Sequence, residues 1–198
     1  MLLIRKMQNK LKDILSEERY LHTLGVKQVI VKLALRYDVN LKKAVTAAIL
    51  HDCAKDLSDD ILLKKAGDFG ILIGEIEREQ PQLLHGPVGA MIAFHNFSVY
   101  DSEILNSIWV HTLGNSFMSD LDKILYIADY IEPNRKFSGV EKLRRIAFAD
   151  LDKALLYAFD NTLNWVRSNN QVIHPTTIKA RNQILFNQRK RNRGRKIS

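Results

Sequence analysis

A histidine and an aspartate stand side by side at the end of a predicted helix that begins near Leu41. The pair continues an inward-facing stripe at helical spacing, formed by Ala44, Ala48, His51, Asp52 and Lys55. Burying an imidazole and a carboxylate is unfavourable without partners, and a divalent metal ion satisfies both groups. The fold must therefore bring further ligands to this pair, or join the two side chains in a structural hydrogen bond.

Length and composition favour one domain of a soluble protein. A chain of 198 residues suits a single domain that buries a substantial core. No apolar run is long enough to span a bilayer, so we expect no membrane segment. The N-terminal apolar stretch ends at Arg5, before a signal peptide could develop, and we expect a cytoplasmic protein.

The cysteine content limits the kinds of metal site that the chain can build. Cys53 is the single cysteine, which excludes an intramolecular disulfide and a multi-cysteine zinc site. A metal centre must therefore use histidine and carboxylate ligands.

The formal net charge of +8 is concentrated at the C-terminus. Six positive charges belong to Arg189, Lys190, Arg191, Arg193, Arg195 and Lys196. Residues 1–188 are nearly balanced and form the predicted domain, whereas 189–198 are predicted to be a disordered basic tail. The alternative for the tail is a weak electrostatic grip on RNA or another polyanion. Other binding to nucleic acid is not expected.

Apolar periodicity predicts helices throughout the domain and therefore an all-α fold. Helical spacing covers 7–35, 41–55, 59–66, 87–97, 104–111, 120–131, 140–148, 151–168 and 176–188. Glycines at 67, 70 and 74 predict a loose connection between the third and fourth of these segments. No strict alternation of useful length indicates a strand, and nothing indicates a domain boundary.

Several ionisable side chains share the predicted interior. They are His22, His51, Asp52, His85, His111 and Asp129. His85, just ahead of a helix N-terminus, is expected to be ordered yet accessible. Any one of these histidines alone would be explained by a structural hydrogen bond. Together they exceed what a core of this size tolerates without a function, and they indicate a metal site.

The same residues carry a family resemblance. Their order resembles the HD-domain metal-dependent phosphohydrolases, a helical superfamily named for the His-Asp doublet, and in particular its YqeK branch. Matching segments include Arg19-Tyr-Leu-His-Thr-Leu-Gly-Val26, Leu50-His-Asp-Cys-Ala-Lys55, Leu84-His-Gly-Pro-Val-Gly-Ala90, Ile127-Ala-Asp-Tyr-Ile-Glu-Pro-Asn-Arg135 and Ile173-His-Pro-Thr-Thr177. The resemblance covers residues 19–182 and implies a single-domain HD bundle.

The resemblance implies a reaction and a ligand set. Members of the branch are symmetrical diadenosine tetraphosphate hydrolases, which split the substrate into two ADP at a di-metal centre usually assigned as iron. One metal ion would be held by His22, His51, Asp52 and Asp129, and the other by His85, His111 and the second oxygen of Asp52. Manganese, zinc and magnesium are alternatives to iron, because imidazole and carboxylate ligands discriminate poorly among these ions.

Cationic side chains near the ligands are candidates for binding the polyphosphate. Lys55 and Arg135 are the leading ones, with catalytic roles alongside Asp52, and Asn134 and Arg181 are weaker substrate contacts. For Lys55 and Arg135 the alternative is a surface salt bridge. Where the resemblance predicts Thr-Thr-Gly-Arg, the chain has Thr112-Leu113-Gly114-Asn115, which bears on substrate choice rather than on metal binding.

Two other functions stay open from the sequence. The same centre could act on a nucleoside polyphosphate alarmone or a mononucleotide. Alternatively, the fold could be a non-catalytic nucleotide-binding or RNA-binding module, although such a module has no need for a complete ligand set. A homodimer is also left open.

Overall fold

The computed structural model describes residues 2–194, and within that range it contains helices and connecting segments without a β-strand. The helices are α1 (Leu2–Lys12), α2 (Glu17–Arg36), α3 (Leu41–Leu50), α4 (Asp59–Asp68), α5 (Glu75–Glu79), α6 (His85–Phe97), α7 (Ser102–Val110), α8 (Asp120–Ile131), α9 (Val140–Ala149), α10 (Leu151–Ser168) and α11 (Pro175–Gly194). A short 3₁₀ helix spans Pro81–Leu84. The predicted all-α class is confirmed.

Helix α3 occupies the centre of the bundle. It packs against α2, α7 and α8, while α6 lies on α7 and the later helices α9 and α10 pack on α8. Leu33, Ile49, Ile108 and Ile124 are fully buried between these helices. The apolar packing fixes the ends of α3 and α7, where the functional residues lie, against the middle of α2 and α8.

Polar residues define where the helices begin. Side chains that cap helix N-termini by accepting backbone N–H bonds belong to Ser16, Asn40, Asp101, Ser119 and Asp150. At α8, Ser119 and Asp122 form a reciprocal capping box, which fixes the register of the helix that carries Asp129.

A glycine allows α6 to approach α7 closely. A Cβ atom at Gly86 would lie 2.8 Å from the carbonyl oxygen of Trp109, a distance that side-chain carbons do not tolerate. The absence of a side chain at this position lets His85 at the start of α6 reach His111 just past the end of α7.

Two stretches in the first half of the chain differ from the sequence expectation. The predicted helix over 7–35 is two helices, because Ser16 begins a new one after a turn at 13–16. The connection after Gly67 is more ordered than predicted, since it contains α5 and the 3₁₀ helix.

The last helix is also longer than predicted. Helix α11 continues to Gly194 instead of ending near Gln188, and Arg191 pairs with the buried carboxylate of Asp152 on α10. Residues 195–198 of the predicted tail lie outside the described residues, and the domain limit at 188 stays a prediction. None of the helices described is both long and apolar enough to cross a membrane.

Candidate metal centre

Six ionisable side chains from five parts of the bundle converge at its centre. They are His22 on α2, His51 and Asp52 just after α3, His85 at the start of α6, His111 just after α7 and Asp129 on α8. All are buried except Asp129, whose side chain is 23% exposed toward an adjacent cavity. The structure thus brings together every metal ligand that the sequence predicted.

The carboxylate of Asp52 lies between two pairs of imidazoles. Oδ1 is 3.4 Å from Nε2 of His85 and 3.5 Å from Nε2 of His111. Oδ2 is 3.4 Å from Nε2 of His51 and 3.6 Å from Nε2 of His22. Each carboxylate oxygen therefore faces its own set of nitrogen donors.

The hydrogen bonds on the far side of each ring determine where the imidazole protons lie. All four histidines donate a hydrogen bond from Nδ1 to an oxygen atom. The acceptors are, in chain order, the carboxylate of Glu132 and the backbone carbonyls of Ala48, Gln82 and Ile108. In the neutral rings every Nε2 atom is then an unprotonated lone-pair donor directed at the centre.

This arrangement fits a divalent metal ion. Nε2 of both His22 and His51 is buried and has no hydrogen-bond partner. Nε2 of His22 lies 3.0 Å from Oδ1 of Asp129. Two ligand atoms about 2.1 Å from one ion, and at right angles, are about 3.0 Å apart. Lone pairs this close repel one another unless a cation lies between them, and the nitrogen and oxygen donors suit a divalent metal ion.

The acidic ligands are held in their ionised form. Burial alone would raise the pKa of Asp52, but when the metal-free imidazoles of His51, His111 and His85 carry a proton on Nε2 they hold it well below the usual range. Burial likewise opposes ionisation of Asp129, whereas His22, His51 and Arg135 together lower its pKa. The site therefore presents two carboxylate anions to a cation.

The cavity beside the ligands has a volume of about 570 Å³ and a cationic wall. Lys55 and Arg135, both predicted from the sequence, line it. Arg135 donates a hydrogen bond from Nη2 to Oδ1 of Asp129 at 2.8 Å, so the alternative of a salt bridge also describes it. Burial lowers the pKa of Lys55, because its side chain is partly withdrawn from bulk solvent.

Sequence reasoning missed several residues around the site. Arg19 lines the cavity and donates from Nη1 to Oδ2 of Asp52 at 2.8 Å. Thr112 has its hydroxyl 3.1 Å from Nε2 of His85. The signal for Arg19 was its position three residues before His22, on the same helix face. Thr112 follows His111 directly, and no periodic pattern marked it.

Part of the cavity lining is aromatic and amide-bearing. It includes Tyr126, Tyr130, Phe137, Asn161 and Trp165. Tyr130 and Phe137 meet edge to face, with ring centroids 5.3 Å apart. Since these residues come from α8, the loop after it and α10, no local pattern in the sequence could have grouped them.

Some predicted contacts lie elsewhere. Arg181 does not line the cavity, because its guanidinium is held by Oδ1 of Asp160 at 2.8 Å. Asn134 does not line it either, and Asn115 lines a second, shallower pocket between α6 and α7. His85 is 4% exposed, so the expectation of an accessible residue is wrong; the 3₁₀ turn before it and Thr112 cover the ring.

Comparisons with known proteins agree with this site. The model of the HD domain family matches residues 19–134, which include all six converging side chains. The symmetrical bis(5'-nucleosyl)-tetraphosphatase of Bacillus subtilis is 37% identical over 88% of the chain and 93% of its own length. The enzyme of the same name from Halalkalibacterium halodurans is 39% identical, over 90% and 95%.

A solved structure has the same fold. The crystal structure of a predicted HD superfamily hydrolase involved in NAD metabolism, from Clostridium acetobutylicum, superposes with a TM-score of 0.90. It is 41% identical and covers 92% of this chain and 97% of its own. With its helical bundle, its His-Asp doublet and its four converging imidazoles, the chain belongs to the HD domain family, together with the symmetrical bis(5'-nucleosyl)-tetraphosphatases that it matches over nearly its whole length.

Proposed function

We propose that the protein hydrolyses diadenosine tetraphosphate symmetrically, to two ADP, at a di-metal centre. The observation that carries the proposal is the position of Asp52, whose two oxygens face separate pairs of imidazole Nε2 atoms. The similarity to curated symmetrical tetraphosphatases over almost the entire chain supports the choice of substrate.

The ligands divide between two metal positions in this proposal. His22, His51, Asp129 and Oδ2 of Asp52 would hold one ion. His85, His111 and Oδ1 of Asp52 would hold the other. We propose iron in both positions, as the family resemblance implies. Manganese and zinc bind the same nitrogen and oxygen donors, and magnesium is the weakest alternative because it prefers oxygen ligands. When bound, the ions would lower the pKa of a water molecule and offset the negative charge of the phosphates.

The protein's own side chains bind and orient the substrate. Arg19, Lys55 and Arg135 line the cavity beside the ligands and give the phosphate chain three cationic partners. The aromatic part of the cavity lining, with Tyr130 and Trp165, suits a nucleoside, whose base can lie against a ring face. A substrate that binds one nucleoside there and its phosphates at the cationic side chains would use both parts of the lining.

This orientation explains a central cut. If the cations hold the flanking phosphates, a central phosphate faces the metal ligands, and the other half of the molecule leaves as ADP. Without that hold the chain could slide and be cut at another bond. In this proposal the cationic side chains determine which phosphate bond is cleaved. The metal ligands determine how fast it is cleaved.

The test pairs metal analysis with product analysis. Protein purified without oxygen is analysed for metal content, then incubated with diadenosine tetraphosphate, and the products are separated by chromatography. We expect two metal ions per chain and ADP as the only nucleotide product. Equal amounts of ATP and AMP, or orthophosphate released only from mononucleotides, would instead favour an HD phosphohydrolase of another specificity. Binding without turnover would favour the nucleotide-binding module.

Further proposals concern the location of the protein, its basic C-terminus and its oligomeric state. A soluble nucleotide substrate and a single buried thiol, that of Cys53, both fit a cytoplasmic protein. We also propose that the basic C-terminus grips polyanions at most weakly, and that a homodimer is compatible with the site, since all six ligands come from one chain.

A further inference from the structure

Glu132 is a buried carboxylate that is bonded to one of the converging histidines without lining the cavity. Its side chain is 3% exposed, and Oε1 lies 3.3 Å from Nδ1 of His22. The other oxygen, Oε2, accepts a hydrogen bond from the backbone N–H of Asn134 at 2.7 Å. Both carboxylate oxygens are thus held inside the protein, and neither is available to a substrate in the cavity.

Gly25 leaves room for this carboxylate. It lies in the interior of α2, where glycine is less favourable than alanine, so its presence calls for a packing reason. A Cβ atom at position 25 would collide with Oε2 of Glu132. The carboxylate of Glu132, after α8, therefore occupies the space that a side chain at Gly25 on α2 would fill. This space lies one helical turn from His22.

His22 is the one converging histidine whose Nδ1 has an anionic partner. The Nδ1 atoms of His51, His85 and His111 donate to neutral backbone carbonyls. A carboxylate attracts the Nδ1 proton more strongly than a carbonyl does, so it fixes the tautomer and makes Nε2 a better electron donor. The four imidazoles therefore differ as electron donors, and Nε2 of His22 is the strongest donor of the four.

We propose that Glu132 is a positioning residue that acts through His22 and selectively strengthens metal binding at the position shared by His22, His51 and Asp129. The inference rests on the di-metal centre of the proposed function. The cations nearest to that position contact other ligands: Arg19 bonds to Asp52 and Arg135 bonds to Asp129. Near Glu132, the guanidinium of Arg144 bonds to the backbone carbonyl and leaves the carboxylate to His22 and Asn134.

Glutamine is the informative replacement because it keeps the size of the side chain. An amide has one acceptor and one donor end, whereas the N–H groups of His22 and Asn134 both require an acceptor. If the donor end meets His22, the ring favours the tautomer that is protonated at Nε2, and that proton points at the metal position. If the donor end meets Asn134, the hydrogen bond to His22 is kept but its charge is lost.

The experiment measures metal binding alone, by equilibrium dialysis of the full-length metal-free chain against Mn²⁺. For Glu132→Gln we expect the dissociation constant of one of the two ions to rise about tenfold to a hundredfold. The other ion should bind as it does in the wild type. Gly25→Ala should weaken the same ion, because the methyl group displaces the carboxylate without changing any charge. Circular dichroism of the metal-free variants checks folding, and Gly25→Ala carries the test if Glu132→Gln does not fold.

Glu77→Gln is the matched control. Glu77 also pairs with a histidine, His174, at 2.9 Å, but neither residue lines the cavity, so both ions should bind normally. Double variants show whether Glu132 acts through His22. Glu132→Gln should add no loss in a His22→Ala background and its full loss in a His85→Ala background.

Two results would overturn the inference. One is wild-type affinity for both ions in Glu132→Gln; the other is an equal loss of both ions. Failure of the proposed function itself would look different, because wild-type protein would then bind fewer than two ions or leave diadenosine tetraphosphate intact.

Discussion

Nε2 of His85 lies 3.1 Å from Nε2 of His111, although both rings donate their Nδ1 protons to backbone carbonyls. Two unprotonated nitrogens at this distance repel one another, and the hydroxyl of Thr112 can donate to only one of them at a time. The bundle holds them together through the close approach of α6 and α7 at Gly86. Folding thus builds a site that a cation stabilises.

His85→Ala should remove mainly one of the two metal ions. The variant keeps His22, His51 and Asp129, which form the other position, so nucleotide binding should survive in part while hydrolysis falls by about a hundredfold or more. Metal analysis of the dialysed protein is the measurement. The control is His95→Ala, since His95 stacks on Phe69 away from the site. An equal loss at both positions would contradict the division of ligands.

Asp52→Asn should abolish hydrolysis and lower the occupancy of both ions. Asp52 is the residue whose two oxygens face both pairs of imidazoles, and an amide replaces one of these anionic oxygens with a donor. Steady-state turnover and metal content are measured on the same preparation. Asp160→Asn is the control, because Asp160 pairs with Arg181 outside the cavity. Retention of most activity in Asp52→Asn would remove Asp52 from the bridging role.

Arg135→Ala should change where the phosphate chain is cut. Loss of a charged phosphate partner should raise the Michaelis constant about tenfold or more and let some ATP and AMP appear beside ADP. Arg181→Ala should behave as the wild type, since Arg181 lies outside the cavity. Chromatography of the products separates the two variants, and an unchanged product pattern in Arg135→Ala would show that Arg135 does not choose the bond.

Truncation after Gln188 should leave turnover of diadenosine tetraphosphate unchanged, because none of the side chains that the structure describes after Gln188 lines the cavity. It should lower the free energy of unfolding by about 1 kcal/mol or less, since Asp152 loses Arg191 but keeps Lys123 at 3.1 Å. Thermal melting and steady-state kinetics test the two parts. A large increase in the Michaelis constant would place the C-terminus in the substrate site.

The candidate ligands were predictable because five of them lie on, or directly after, a helix with apolar periodicity, and His85 lies at the start of one. His51 and Asp52 continue the buried stripe of α3, and Asp129 follows the buried stripe of α8. The helical period alone therefore predicted that these side chains face the interior. The doublet then carried the family resemblance, and with it the fold. These inferences required only residues that are close in the chain.

The parts that sequence reasoning missed depend on contacts between distant residues. Glu132 and His22 are 110 positions apart, and only the packing of α2 against α8 brings them together. Arg181 was expected near the phosphates, but its choice of Asp160 as a partner depends on how α11 packs on α10. The extension of α11 beyond Gln188 was missed because the mostly charged residues 189–193 show no apolar periodicity. The ion pair of Arg191 with the buried carboxylate of Asp152 could not be read from that pattern.

The most direct test of the central claim is the hydrolysis of diadenosine tetraphosphate in water enriched in oxygen-18, with the products analysed by mass spectrometry. A central cut adds one oxygen atom from water to the terminal phosphate of one half and none to the other. We therefore expect ADP as the only nucleotide product, with one labelled oxygen in half of the ADP molecules. Label in AMP or ATP, or release of labelled orthophosphate, would contradict symmetrical hydrolysis at this centre.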